Sequence, residues 1–123
     1  VGYHIHFALR AGTLKAVIFG KVSDAYARYI ARDIAEEAKR QAVKRVLIDV
    51  RWLRDRLGSL GTLSRLPAGD AMPRRIALVD DEEFDRYYAM PELLARRAGA
   101  KMRRFPDAAA AMQWLSEPAD QLS

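Results

Sequence analysis

The chain has 123 residues, 50% of them hydrophobic and 30% charged, with a net charge of +5, two histidines and no cysteine. That length suits one domain and the balance excludes a disordered chain. The lack of cysteine excludes disulfides, thiolate catalysis and cysteine zinc sites, and no run approaches the roughly 18 apolar residues of a membrane span. A soluble, cytoplasmic protein is the expectation. A positive balance favours anionic partners in general. Here Arg51, Arg54 and Arg56, then Arg74 and Arg75, then Arg96, Arg97, Lys101, Arg103 and Arg104 are spread among acids, so nucleic acid is not the expected partner.

Residues 3 to 9 alternate strictly, Tyr3, Ile5, Phe7 and Leu9 on one face and His4, His6 and Ala8 on the other, as in a half-exposed strand. Arg10, Ala11, Gly12 and Thr13 form a glycine-bearing turn, and residues 14 to 22 read as a more buried strand paired antiparallel with the first. Ser23 caps a long amphipathic helix over residues 24 to 42, with Tyr26, Ile30, Ile34, Ala38 and Ala42 recurring every four residues. Glu36 and Arg40 supply an i,i+4 pair on it.

KRVLIDV (44 to 50) is the first of three apolar runs that read as strands buried on both faces; RRIALVD (74 to 80) and residues 100 to 105 are the others. Between the first two lie 23 residues, 51 to 73, with no strand pattern, a long connection of the kind that is often functional. Leu57, Leu60, Leu63 and Leu66 predict a short helix from about Ser59, stopped by Pro67. Phe84, Tyr87, Tyr88, Leu94, Ala95 and Ala98 keep helical phase across Pro91, where a kink or a second start is expected, and Gly99 closes that helix. Pro106 and Asp107 lead into a last helix with Ala108, Ala111, Met112 and Leu115 inward. The order ββαβαβαβα predicts a single α/β domain over residues 1 to 116 and a flexible tail over 117 to 123. Its single-layer mixed sheet has about five strands, an antiparallel N-terminal hairpin followed by β-α repeats.

The candidate chemistry is sparse. His4 and His6 share one side of a strand about 7 Å apart, a span a metal can bridge, but no third ligand is in view, and an exposed strand face is the simpler reading. The acid pair in IALVDDEEF looks like the opening of a response-regulator receiver domain. A receiver places its phosphoacceptor after a later strand, whereas Asp49 comes earlier. Asp80 and Asp81 are therefore read as solvated acids at a helix N-terminus, with a cation site of Asp49, Asp80 and Asp81 at the carboxyl ends of neighbouring strands as the lesser alternative. Ser59 lies where orphan N–H groups of the short helix could hold a phosphate, or could simply be capped. Trp52 and Trp114 read as core or rim aromatics and not as a stacking platform. No cofactor motif is present, and neither histidine falls near Ser59, so a non-enzymatic protein is expected.

Together the opening hairpin, GKVSDAY entering the long helix, VLIDV, RRIALVDD and RRFPDAAAAMQWL resemble the SpoIIAA-like or STAS group, the fold of bacterial anti-sigma-factor antagonists. The likeness spans nearly all of residues 3 to 116 and is nearest to the divergent STAS/SEC14-like branch. It implies a fold more than a chemistry. In antagonist members a partner kinase phosphorylates a serine at the start of the second helix, after an Asp-Ser or Asp-Ser-Ser-Gly stretch. The matching stretch here is LGSLG, with Ser59 in the serine's place and Leu57 and Gly58 where the acid and serine are expected. Two functions are expected on this basis. One is an interaction module whose surface, residues 51 to 73 with Trp52 and the first strand, binds another protein or a second copy. The other is a binder of an apolar, anionic ligand such as a lipid, held under Leu57, Leu60, Leu63, Met72, Tyr87 and Tyr88.

Overall fold

The computed structural model describes residues 2–21, 24–54, 74–81, 99 and 101–118. In chain order these form β1 (Tyr3–Arg10), β2 (Thr13–Lys21), α1 (Asp24–Arg40), β3 (Arg45–Asp49), β4 (Leu53–Arg54), β5 (Arg75–Val79), β6 (Lys101–Phe105) and α2 (Ala108–Leu115). The sheet runs β1-β2-β3-β5-β6; β1 is antiparallel to β2, and every later pairing is parallel. The mixed α/β sheet with its N-terminal hairpin is the one the sequence predicts. One strand departs from that expectation: β4, two residues inside the supposedly strandless connection, pairs parallel with the end of β2. Two residues are too few to carry a period of two, and this strand exists only because Gly20 and Lys21 of β2 extend beyond β3.

The hairpin closes through Ala11 and Gly12, both at positive φ (50° and 77°), which is the two-residue turn whose twist matches that of the strands. The helix expected to reach residue 42 stops at Arg40. Ala42 adopts φ 55°, its N–H donating to Lys39 O at 3.1 Å while Val43 N–H donates to Ala38 O at 3.1 Å, a Schellman ending built on alanine instead of glycine. The expected Glu36–Arg40 pair gives way to two others: Glu36 faces Arg32 at 3.9 Å, and Arg40 turns back to Glu37. All are at the surface, where such pairs add little.

The two faces of the sheet carry separate cores. On one, Leu14, Ala16 and Ile18 of β2, Val46 and Ile48 of β3, Ile76 and Leu78 of β5 and Met102 of β6 meet Ile30, Ala31, Ile34 and Ala38 of α1. On the other, Leu47, Ala77, Val79 and Phe105 meet Ala111, Trp114 and Leu115 of α2. β3 and β5 contribute to both, which is why they read as unbroken apolar runs.

Docking of α2 depends on a charge. Arg75, 4% exposed, opens β5 on the α2 face, and its Nη1 donates to the carbonyls of Trp114 (3.2 Å), Leu115 (3.4 Å) and Glu117. Its guanidinium also lies 6.0 Å from the centre of the Trp114 ring. The last carbonyls of a helix lack intrahelical donors and carry the negative end of its dipole, so one buried cation satisfies both needs. Burial, helped by nearby Arg45, pushes the Arg75 pKa down, with Glu117 opposing, yet a guanidinium stays protonated. Nη2 is buried with no hydrogen-bond partner among the described residues. At the other end of α2, Asp107 accepts from Ala110 N–H at 2.8 Å as an N-cap.

Replacing Arg75→Met keeps volume and removes the donor to the Leu115 and Glu117 carbonyls, Trp114 O keeping the Glu117 N–H at 3.2 Å; we expect a loss of about 2–3 kcal/mol in urea unfolding. Ala42→Gly relieves the left-handed alanine and is expected to gain about 0.5–1 kcal/mol in the same assay.

Candidate functional site

The carboxyl ends of the parallel strands are the edge at which open α/β sheets usually bind ligands. Asp49 ends β3 there, 2% exposed, and organises the turn that leads to β4. Its Oδ1 accepts from Arg51 N–H (3.1 Å) and Arg51 Nε (3.1 Å), and its Oδ2 accepts from Arg51 Nη2 (2.8 Å). The first bond makes an Asx-type turn and the other two a bidentate ion pair. The pair and its hydrogen bonds to Asp49 raise the Arg51 pKa, with Asp81 and Asp107 adding to the rise and partial burial opposing it. Val50 N–H donates to Val79 O and Leu53 N–H to Val50 O, both at 3.1 Å, so the turn is tied to the sheet on either side.

A side chain is thereby aimed outward. Leu53 is buried at 4% exposure, and the β2–β4 register sets it opposite Gly20, placing Trp52 beside Phe19. The two rings stack at 6.2 Å between centres and 27° between planes. Trp52 is 56% and Phe19 41% exposed, so this aromatic pair stands on the surface of a braced turn. Gly20 permits it: φ is 109°, and a Cβ there would sit 2.3 Å from Gly2 O, the acceptor of the Lys21 N–H.

The two tryptophans, expected alike, part company. Trp114 is core, tilted against Phe105 at 5.5 Å, whereas Trp52 is a surface residue. Asp80 overturns its expectation as well. It is fully buried and not solvated; its N–H donates to Phe105 O, its Oδ1 accepts from Asp81 N–H at 2.8 Å, and Arg104 Nη1 donates to its carbonyl at 2.9 Å. Asp81 is exposed. Asp49 spends both oxygens on Arg51 and so is not set out as a cation ligand. No three metal-ligating side chains gather among the described residues. His4 and His6 are exposed on β1, His4 directly opposite Phe19 and His6 opposite Val17 in the β1–β2 register. Leu57, Ser59, Leu60, Leu63, Met72, Tyr87 and Tyr88 lie outside the described residues, as do the helices expected near 59–66 and 84–98. No helix among the described residues is long and apolar enough to cross a membrane.

Sequence reasoning missed Phe19 because its strand period places it beside the outward histidines; only the β2–β4 register brings it to Trp52. Gly20→Ala, with a positive φ and no room for a Cβ, is expected to cost about 2 kcal/mol or more in chemical denaturation.

No protein-family model and no curated protein matches the sequence. Solved structures do match. An anti-sigma factor antagonist from Mycobacterium paratuberculosis superposes with a TM-score of 0.60 at 12% identity, covering 94% of this chain and 95% of that one. An uncharacterized DUF3478 protein with a SpoIIAA-like fold, from Shewanella loihica, gives a TM-score of 0.47 at 18% identity, with 93% and 94% covered. An antisigma-factor antagonist STAS domain from Rhodobacter sphaeroides gives 0.37 at 19%, with 94% of each chain covered. The first of these carries the comparison, and with the hairpin-then-parallel sheet described above it establishes that this chain has the SpoIIAA-like, or STAS, fold.

Proposed function

We propose that this protein is a non-enzymatic regulatory module that binds another protein through the surface centred on Phe19 and Trp52. The observation that carries the reading is the stacked, solvent-facing aromatic pair held on a turn braced by Asp49 and Arg51. Tryptophan and arginine are the residues most often found at the energetic centre of protein interfaces, and a pre-organised turn loses little entropy on binding. The fold is shared with a structure named an anti-sigma factor antagonist, so by fold analogy the partner is itself a regulatory protein. The lipid-binding alternative rests on residues outside those described, and no observation favours it.

The test is quantitative affinity capture from native lysate with wild type and Trp52→Ala side by side. Truncating an exposed residue leaves stability within about 0.5 kcal/mol. A hot spot, by contrast, should lower recovery of a specific partner at least ~30-fold, the equivalent of about 2 kcal/mol. Equal recovery by both proteins, or no specific partner with wild type, refutes the proposal.

A further inference from the structure

Among the described residues β1 is the outermost strand of the sheet, and its own sequence lacks the usual protection of a sheet edge. It contains no proline and no charged residue before Arg10, and its pairing with β2 runs from Tyr3↔Gly20 to Arg10↔Thr13 without a bulge. The bond from Lys21 N–H to Gly2 O fixes the phase of that ladder. In an antiparallel pair the backbone groups of successive residues point alternately to either side, so residues 2, 4, 6, 8 and 10 bond to β2 and those of Ile5, Phe7 and Leu9 point outward. The same odd residues carry the apolar side chains. Tyr3, Ile5 and Phe7 are half-buried against the α1 core, and Leu9 is 53% exposed. Beside them a groove of about 430 Å³ runs between β1 and α1, walled by Asp33, Glu36, Glu37 and Arg40.

We propose that this edge pairs with the same edge of a second copy, antiparallel about a two-fold axis at His6, joining two sheets into one. The register is set by what the strand itself presents. An axis at His6 places Tyr3 opposite Leu9 of the partner subunit and Ile5 opposite Phe7 of the partner subunit. Symmetry repeats both pairs, so every outward apolar residue meets another, and the outward backbone groups fall on hydrogen-bonding positions. His6 faces its own copy in a non-hydrogen-bonded pair. The apolar side chains of the incoming strand enter the groove and cover Leu9. A second copy is favoured over a foreign basic strand because two of the groove's three acids already have cations beside them: Glu36 faces Arg32, and Glu37 holds Arg40. A single strand edge falls short of the roughly 800 Å² per partner of a standard interface, so a dissociation constant on the order of 1–100 µM is expected. Neither Phe19 nor Trp52 takes part, so the pairing does not rest on the partner surface proposed above.

The experiment combines sedimentation with cross-linking. Wild type should pass from monomer to dimer between about 1 and 200 µM. Leu9→Lys, at an exposed position that the fold tolerates, should weaken the dimer at least tenfold, while Trp52→Ala should leave it unchanged. Because the chain has no cysteine, substitutions to cysteine read the register directly. His6→Cys sets two Cα atoms about 4.5 Å apart, within disulfide range, whereas His4→Cys leaves them about 14 Å apart along the strands. Mild oxidation should therefore link His6→Cys at least tenfold faster than His4→Cys. A monomer throughout the concentration range, a dimer indifferent to Leu9→Lys, or equal cross-linking of the two cysteine variants each overturns the proposal.

Discussion

Burial of β3 and β5 on both faces is the constraint on which the rest of the architecture depends. Their residues are 46, 48, 76 and 78 on one side and 47, 77 and 79 on the other, all essentially inaccessible to water. Such strands can sit only in the middle of a sheet with cover above and below. α1 supplies one cover and α2 the other, while the half-polar β1 is left for the edge. Removing one large side chain from a core packed this way typically costs about 2–5 kcal/mol, comparable with a good part of a small domain's stability.

The arginines show why net charge predicts little about how this molecule works. Arg75 is consumed inside the fold, completing the end of α2 and lying against Trp114. Arg51 is tied to Asp49 and shapes the turn after β3. Arg104 binds the carbonyl of the buried Asp80. Each meets an oxygen that folding would otherwise strand, a use for which a planar, multi-donor cation is suited and a lysine is not. A positive total that looks like an invitation to anions is in part internal scaffolding.

The turn and the edge are two outcomes of one strand, β2. Along most of its length it pairs β1 on one side and β3 on the other; past Val17 it outruns β3, and at Gly20 it takes β4 as its neighbour. That change of neighbour exposes Phe19 and Trp52 together. On its other side β2 occupies one set of the hydrogen-bonding groups of β1 and leaves the opposite set facing outward. Among the described residues, the exposed aromatic pair and the outermost strand edge both arise where the pairing of β2 or β1 stops.

Much of the architecture was legible in the residues. Alternation marked β1, a positive-φ turn sequence marked the hairpin, four-residue spacing marked α1, and unbroken apolar runs marked β3 and β5. These are short-range patterns, set by the periods of helix and strand and by which side must leave water. Tertiary structure alone decided the rest. β4 and the Phe19–Trp52 stack depend on register between segments more than thirty positions apart. The burial of Arg75 and Asp80 depends on α2 and β6 closing over them, where the cost of desolvation is offset by specific carbonyls and N–H groups. The sequence by itself determined which elements form and which faces are apolar, because those properties come from local periodicity. Which polar groups are internal and which aromatics are left outside was decided only by packing, because that depends on the neighbours a distant part of the chain brings.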